Sequence, residues 1–532
     1  MKPETQPAGT ATCTNKTPLR IVTATSLFDG HDAAINIMRR IAIRQGAEVI
    51  HLGHNRSVEE IVDAAICEDA RAIAVSSYQG GHMEFFNYMR QRLEDSGSGD
   101  IAIFAGGGGT IIADEITQLE SAGITRVYSP EDGTRLGLEG MIADMLKRIS
   151  FAPPVDIQAE LKKLATGSRQ ALARLLSLNE LALAGSLPPE QNRELSAGIA
   201  ALTESASGKA PVLGITGPGG AGKSSLTDEL VRRLLDDFAA KKVAVLSVDP
   251  TMRRTGGALL GDRIRMNALS STRSFMRSLA TRGDNQSLAA GLKEATGLCH
   301  AAGFKLVIVE SAGIGQGDTG MVDLADITMY VMTSEFGAAT QLEKIGMLDY
   351  ADLIALNKYE KQGSPDALRA VQKQVRRNRN LFDAPEEEIP VYPTIASRFN
   401  DPFTDRLYLG LLRVLQKRFG ESWHSGFVPH SEQDATDTVS LPGRRVRYLS
   451  EIAEAVRAYH EDAEKQAVQA SRAQAMQTAL AELGLPVPGE PRAINPESLN
   501  QGSLPTAVAG QSSAAGQSSA AGQSSAAVEQ LT

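Results

Sequence analysis

The run Gly217-Pro218-Gly219-Gly220-Ala221-Gly222-Lys223-Ser224 constrains this chain more than any other stretch. It has the spacing G-x-x-x-x-G-K-[ST], follows the apolar run Val212-Leu213-Gly214-Ile215-Thr216 and precedes a helical pattern from Ser225 to Phe238. Strand, glycine loop and helix in that order make a phosphate cradle for a nucleoside triphosphate. Backbone N–H groups of Gly219, Gly220, Ala221 and Gly222 would wrap the phosphates, and the helix N-terminus adds roughly half a positive charge. Lys223 would reach the terminal phosphates as a candidate catalytic residue, and the Ser224 hydroxyl would bind Mg²⁺. The surrounding fold should be α/β, with ligands beyond the C-terminal ends of the strands.

Residues downstream narrow the chemistry. The apolar run Leu306–Val309 ends in Glu310, whose carboxylate would hold Mg²⁺ directly or through water. Ser311-Ala312-Gly313-Ile314-Gly315-Gln316-Gly317 follows, placed like a switch loop that senses the terminal phosphate. Gln316 reads either as the second candidate catalytic residue, orienting water, or as a structural loop residue. Asp249 ends the run Val243–Val248, and Thr255–Arg265 adds Asp262 and Arg265. Both aspartates read either as Mg²⁺ ligands converging with Glu310 or as turn and cap residues. Asn357-Lys358-Tyr359-Glu360 follows the run Asp352–Leu356 where a base would be read. GTP-binding proteins usually carry aspartate at the fourth place, accepting guanine N1–H and the exocyclic amine. Glu360 keeps the charge but is one methylene longer, so GTP is favoured and ATP stays open.

At 532 residues the chain exceeds one core, and two or three domains are expected. Apolar content of 42% with 5% aromatics suits α/β domains, and a net charge of −9 argues against a nucleic-acid partner. Cys13, Cys67 and Cys299 are scattered without metal-ligand spacing, which suits a reduced compartment. Residues 1–18 are polar, read as disordered and unlike a signal peptide. No apolar run is long enough to span a bilayer, so no membrane partner and a cytoplasmic location are expected.

Residues 19–150 alternate short apolar runs with amphipathic stretches. Candidate strands are Ile21–Ala24, Val49–Leu52, Ala72–Ser76, Ile101–Ala105 and Arg126–Tyr128, with helices such as Ala33–Gln45 and Val58–Glu68 between them. This pattern predicts a small doubly wound parallel sheet of flavodoxin-like type. Residues 151–210 read as a helical linker, 211–420 as the P-loop domain, and 421–440 as a second linker. Residues 441–484 form one long helical pattern whose apolar stripe needs a partner from this chain or another. The low-complexity tail 485–532 repeats Ala-Gly-Gln-Ser-Ser-Ala three times and reads as disordered.

Three loops of the first domain leave C-terminal strand ends and should converge on one sheet edge. They are Asp29-Gly30-His31 after strand one, Ser76-Ser77-Tyr78-Gln79-Gly80-Gly81 after strand three, and Gly106-Gly107-Gly108-Gly109 after strand four. Asp29 could hydrogen-bond one ring nitrogen of His31, leaving the other to bind a metal. An Asp-x-His triplet alone is usually a surface loop; its place opposite two glycine loops singles this one out. A phosphoryl-receiver domain has the same topology, but would want an aspartate where Ser76-Ser77 stand. His51, His54 and His82 read as polar loop residues rather than ligands.

Together these loops resemble the adenosylcobalamin-binding domain of the acyl-CoA mutases, whose motif is Asp-x-His-x-x-Gly; Ala34 stands at the last place here. The P-loop region resembles the GTPase chaperones of those mutases. Both in this order are similar to the fused isobutyryl-CoA mutases, from about Leu19 to Leu483. The resemblance implies that His31 is the lower axial cobalt ligand, displacing the cofactor's dimethylbenzimidazole tail into the sheet edge. Asp29, Gly30, Ser76, Ser77, Gly80, Gly81, Gly107 and Gly108 would form that seat. It also implies GTP and Mg²⁺ held by Lys223, Ser224, Asp249, Asp262, Glu310 and Ser311, with Arg265 on the nucleotide and Asn357, Lys358, Tyr359 and Glu360 on the base. The family's acyl-CoA-binding barrel has no counterpart among these residues, so the chain is not expected to isomerise acyl-CoA by itself. The expectation is a homo-oligomeric GTPase that loads, protects or edits adenosylcobalamin for a mutase barrel subunit. The rivals are a mutase small subunit working with a separate barrel chain, and a cobalamin-binding regulator without significant hydrolysis.

Overall fold

The computed structural model describes residues 19–149, 155–205, 210–252, 255–281, 285–311, 320–336, 342–343, 345–430 and 448–486. The chain divides into two units, 1–440 and 441–532. In the second unit the helix Tyr448–Glu482 carries Ile452, Val456, Tyr459, Val468 and Met476 exposed.

The first unit is built on two sheets, and continuous apolar runs mark their strands as covered on both faces. Its first strands are β1 (Arg20–Ser26), β2 (Glu48–Arg56), β3 (Ala72–Ser76), β4 (Ala102–Gly106) and β5 (Arg126–Tyr128). Helices α1 (Ala33–Arg44), α2 (Val58–Cys67), α3 (His82–Asp95), α4 (Ala113–Ser121) and α5 (Pro130–Arg148) connect and follow them. Ser57 starts α2 by accepting the Glu60 N–H while the Glu60 carboxylate takes the Ser57 N–H, so two orphan donors are satisfied reciprocally.

Next in the chain come α6 (Ile157–Ala165), α7 (Arg169–Leu183) and α8 (Pro189–Ser205). The remaining strands are β6 (Val212–Thr216), β7 (Val243–Pro250), β8 (Ala258–Leu260), β9 (Ser274–Thr281), β10 (Leu306–Glu310), β11 (Ile327–Met332), β12 (Leu353–Asn357) and β13 (Val391–Thr394). Seven of them form a parallel sheet in the order β13-β12-β11-β6-β10-β7-β9. The Leu stripe of α6 and α7 (Leu161, Leu164, Leu172, Leu175, Leu176) is buried against Val212, Ala244, Leu246 and Val307 on one face of that sheet. Each such leucine contributes about 1.5–3 kcal/mol of burial. α9 (Lys223–Asp237) and the helix Pro402–Phe419 cover the other face.

The strand left over, β8, belongs to the other sheet. It pairs parallel with β2 (Glu48 with Ala258, Val49 with Leu259, Ile50 with Leu260), giving the order β5-β4-β3-β1-β2-β8. The approach is close: a Cβ on Gly257 would lie 2.1 Å from the Ile43 carbonyl oxygen. Buried charges line the same seam. Arg20 pairs with Glu48 at 2.9 Å and with Glu180 of α7 at 3.0 Å, and Arg277 of β9 pairs with Glu180 at 2.9 Å. Glu68, at the end of α2, accepts the Ser278 N–H at 3.0 Å and its hydroxyl at 3.1 Å.

Candidate functional site

In the first sheet β1, β3 and β4 are parallel neighbours, so the loops after them share one edge. There Asp29, fully buried, takes the His31 ring Nδ1 on Oδ1 at 2.8 Å and the Tyr78 N–H on Oδ2 at 2.7 Å. The His31 N–H also donates to Oδ1, at 2.9 Å. Burial alone would raise the Asp29 carboxyl, but the N–H groups of Tyr78 and His31 and the His31 ring hold it below the usual carboxylate range. A carboxylate that accepts at Nδ1 fixes the tautomer and leaves Nε2 for a ligand on an imidazole that is 65% exposed.

Beside this clamp lies an apolar cavity of about 190 Å³, lined by Ile35, Met38, Ser76, Phe104, Tyr128 and Met141 among others. Gly107 and Gly108 border it because nothing larger fits. A Cβ on Gly107 would stand 1.9 Å from the Ser77 carbonyl oxygen, and one on Gly108 2.9 Å from the Tyr78 ring. The Ser76 hydroxyl, buried in this wall, has no hydrogen-bond partner among the described residues. Ser77 is occupied, accepting from Ser26 Oγ at 2.9 Å. Gly30, Gly80 and Gly81 stand in open space at the rim, where a Cβ would meet nothing.

The second site lies where β6 runs into α9. Gly217, Gly220 and Gly222 all have positive φ, and a Cβ on Gly217 would lie 2.0 Å from the Val331 carbonyl oxygen. Lys223 Nζ donates to the Gly217 carbonyl at 3.1 Å and to that of Pro218 at 3.4 Å. Ser224 Oγ donates to Glu310 Oε1 at 2.8 Å, and Thr227 Oγ1 to Oε2 at 3.2 Å. Asp249 is buried at the end of β7, two residues past Ser247, the register partner of Glu310. The Ser311 hydroxyl donates to Thr216 Oγ1 at 2.9 Å. Among the described residues no group of three or more His, Cys, Asp or Glu could hold a metal by itself.

Asn357 and Lys358 bind the loop as well as flanking it. Asn357 Nδ2 donates to the Ala221 carbonyl at 2.8 Å, and its Oδ1 accepts from Thr394 Oγ1 and the Ala396 N–H. Lys358, at positive φ, donates to the Gly220 carbonyl at 2.8 Å. Tyr359 packs edge-on against Phe403, and Glu360 is exposed. Arg265 is exposed at the end of the short turn Asp262–Arg265. The Gln316 expectation lies outside the described residues, as do the Asp262 side chain, residues 1–18 and nearly all of the tail.

One reading needs correction. His51 and His82 are not loop residues: His51 sits buried in β2 against Thr23 Oγ1 at 3.0 Å, and His82 opens α3, bonded to Glu115 at 3.0 Å. His54 is also within β2, and it is exposed. Sequence reading missed Thr227, Thr394 and Ala396 as well. Thr227 was legible, lying one turn after Lys223 on the same face of α9. Thr394 and Ala396 reach the site only by tertiary packing.

Residues 172–483 match the family model for the methylmalonyl Co-A mutase-associated GTPase MeaB, and residues 19–138 match the B12 binding domain. A fused isobutyryl-CoA mutase of Geobacillus kaustophilus is 54% identical over 457 residues, covering 85% of this chain and 42% of the relative. One from Cupriavidus metallidurans is 52% identical over 446 residues, covering 83% of this chain and 40% of the relative. A putative GTPase of Pyrococcus abyssi is 38% identical over 205 residues, 38% of this chain and 60% of that one. The chain thus spans less than half the length of the fused mutases it matches.

Proposed function

Because the chain belongs to the methylmalonyl-CoA mutase-associated GTPase MeaB family and carries a B12 binding domain ahead of it, we propose that it is an adenosylcobalamin-binding GTPase that loads, protects or edits this cofactor for an acyl-CoA mutase barrel. The observation that carries the reading is the clamp of Asp29 on His31 beside an apolar cavity. The residues fit the cofactor. His31 would offer Nε2 to cobalt, the apolar cavity suits a displaced benzimidazole, and the Ser76 hydroxyl, without a partner among the described residues, would take a polar atom of that tail. Gly107 lines the cavity where it packs against the Ser77 carbonyl, while Gly30, Gly80 and Gly81 would let a large flat ligand approach the backbone. When bound, adenosylcobalamin supplies radical chemistry that no side chain can provide.

In the second site Lys223 would exchange the Gly217 and Pro218 carbonyls for phosphate oxygens. Mg²⁺ would take Ser224 Oγ, with Glu310, Asp249, Asp262 and Ser311 holding it directly or through water. Few protein ligands beside phosphate is usual for this ion. Arg265 would touch the nucleotide, Asn357 would hold the phosphate loop to the base-reading segment, and Lys358, Tyr359 and Glu360 would form the base pocket. Gln316 would orient water. β8 lies between Asp249 and Arg265 in sequence and is hydrogen-bonded to the cobalamin sheet, so nucleotide states that differ there would differ in their grip on the cofactor.

Similarity to fused isobutyryl-CoA mutases favours a barrel of the isobutyryl-CoA/butyryl-CoA type as partner; a homo-oligomer and a cytoplasmic location complete the proposal. Among the described residues no helix is long and apolar enough to cross a membrane. The test is to offer the cobalamin-loaded chain to a cofactor-free barrel subunit of that type, with and without GTP. Transfer or productive docking that needs GTP supports the chaperone reading. Butyryl-CoA formed at the same rate without nucleotide supports the small-subunit reading instead.

A further inference from the structure

Ser26-Leu27-Phe28-Asp29 is a tight turn closed by the Asp29 N–H on the Ser26 carbonyl at 3.1 Å. Phe28 occupies its third position with φ of +65°, the place where such turns take glycine. A bulky side chain in the left-handed region is a genuine outlier, and residues so held cluster where ligands are gripped. The strain is locked in from outside: Asn55 Oδ1 accepts the Phe28 N–H at 2.7 Å, while the Asn55 N–H donates to Thr25 Oγ1 at 3.1 Å and to the Asp29 carbonyl at 3.2 Å. Core packing does not explain the ring, which is 80% exposed. Leu27 and Ile112 are exposed in loops at the same sheet edge, and His31 lies three residues on with its ring 5.7 Å from that of Tyr78.

A glycine would satisfy this turn without strain, and among the described residues nothing covers the phenyl group. We propose that Phe28 is a positioning and affinity residue for the macrocycle, its ring held out to lie against the flat apolar face of a corrin whose metal is bound by His31. The inference rests on the cobalamin reading above and adds a residue to it. A ring of this size buries 150–250 Å² when covered, enough to change affinity tenfold or more.

The test pairs two readouts on the full chain, thermal unfolding without ligand and spectrophotometric titration with cobalamin, for wild type, Phe28→Gly and Phe28→Leu. Relief of strain should leave Phe28→Gly melting at or above the wild-type temperature, while its Kd for cobalamin rises at least about tenfold. Phe28→Leu should bind between the two. Unchanged affinity in Phe28→Gly overturns the inference, including the case where only docking of a barrel subunit is lost. A lower melting temperature with proportionally weaker binding overturns it too, since the ring would then be structural. Failure of the wild type itself to bind cobalamin removes the underlying reading as well.

Discussion

Glu310 receives the Ser224 hydroxyl at 2.8 Å, joining the end of β10 to the first turn of α9 where a divalent cation would enter. With Thr227 on its other oxygen, both oxygens of the carboxylate are held by hydroxyl groups of α9. Glu310→Gln keeps the shape and one acceptor oxygen but removes the charge. GTP turnover should fall by about 100-fold, and the Mg²⁺ concentration for half-maximal rate should rise. Steady-state phosphate release across a Mg²⁺ titration checks this. Turnover within a factor of two of wild type would remove Glu310 from the site.

Lys223→Ala should abolish GTP turnover while cobalamin binding stays intact, since Lys223 opens α9 on the second sheet and bonds that sheet's phosphate loop. Parallel turnover and cobalamin titrations decide it. Retained hydrolysis would mean that the phosphates lie elsewhere.

Gly222 has φ of +92°, and a Cβ there would stand 2.3 Å from Asn357 Nδ2. Gly222→Ala should therefore cost about 1–3 kcal/mol of stability and weaken nucleotide binding together. Denaturant unfolding with and without GDP measures both. A stable variant with normal GDP affinity would show that Asn357 does not hold the loop.

The phosphate loop, both sheets and the Asp29–His31 clamp were legible because each is local: spacing, apolar runs and a two-residue separation carry the signal. The strand pattern gave β3 and β5 to the residue, whereas β2 runs on past Leu52 to Arg56 and so takes in His54; His51 already lies in the run Val49–Leu52, and its burial against Thr23 comes from packing with β1. β8 was not legible. Three residues are too short for periodicity, and its partner β2 lies some two hundred positions earlier. α6 and α7 fall in the stretch read as a helical linker; that their leucines cover the nucleotide sheet, and that α7 pairs its Glu180 with Arg20 of β1, depends on long-range packing.

That seam predicts shared stability. Glu68→Ala would leave the buried Ser278 hydroxyl and the nearby Arg20 and Arg263 guanidiniums short of a carboxylate, at a cost of about 3–5 kcal/mol. Residues 19–149 and the GTPase region should unfold in one calorimetric transition in wild type, moved to lower temperature in the variant. Two separate transitions in wild type would contradict the shared sheet.

Acid should weaken the fold through His51. Burial, then the charge of Arg39, pushes its ring down to about 4 from 6.5. Between those values the unfolded chain holds a proton that the folded chain refuses, so stability rises with pH and is lost on acidification, by up to about 3 kcal/mol. Asp29 acts in the same direction at lower pH, as its depressed carboxyl is finally protonated. His51→Gln should flatten the dependence of unfolding free energy on pH between 6.5 and 4.5. An unchanged slope would assign it to other groups.

Nitrogen coordination to cobalt can be read directly from the electron paramagnetic resonance of bound Co(II) cobalamin. Protein grown with ¹⁵N-histidine should split the cobalt lines into doublets, and His31→Ala should abolish that splitting. Triplets from the labelled wild type would mean that the cofactor keeps its own nitrogen base, and that the imidazole held by Asp29 is not its ligand.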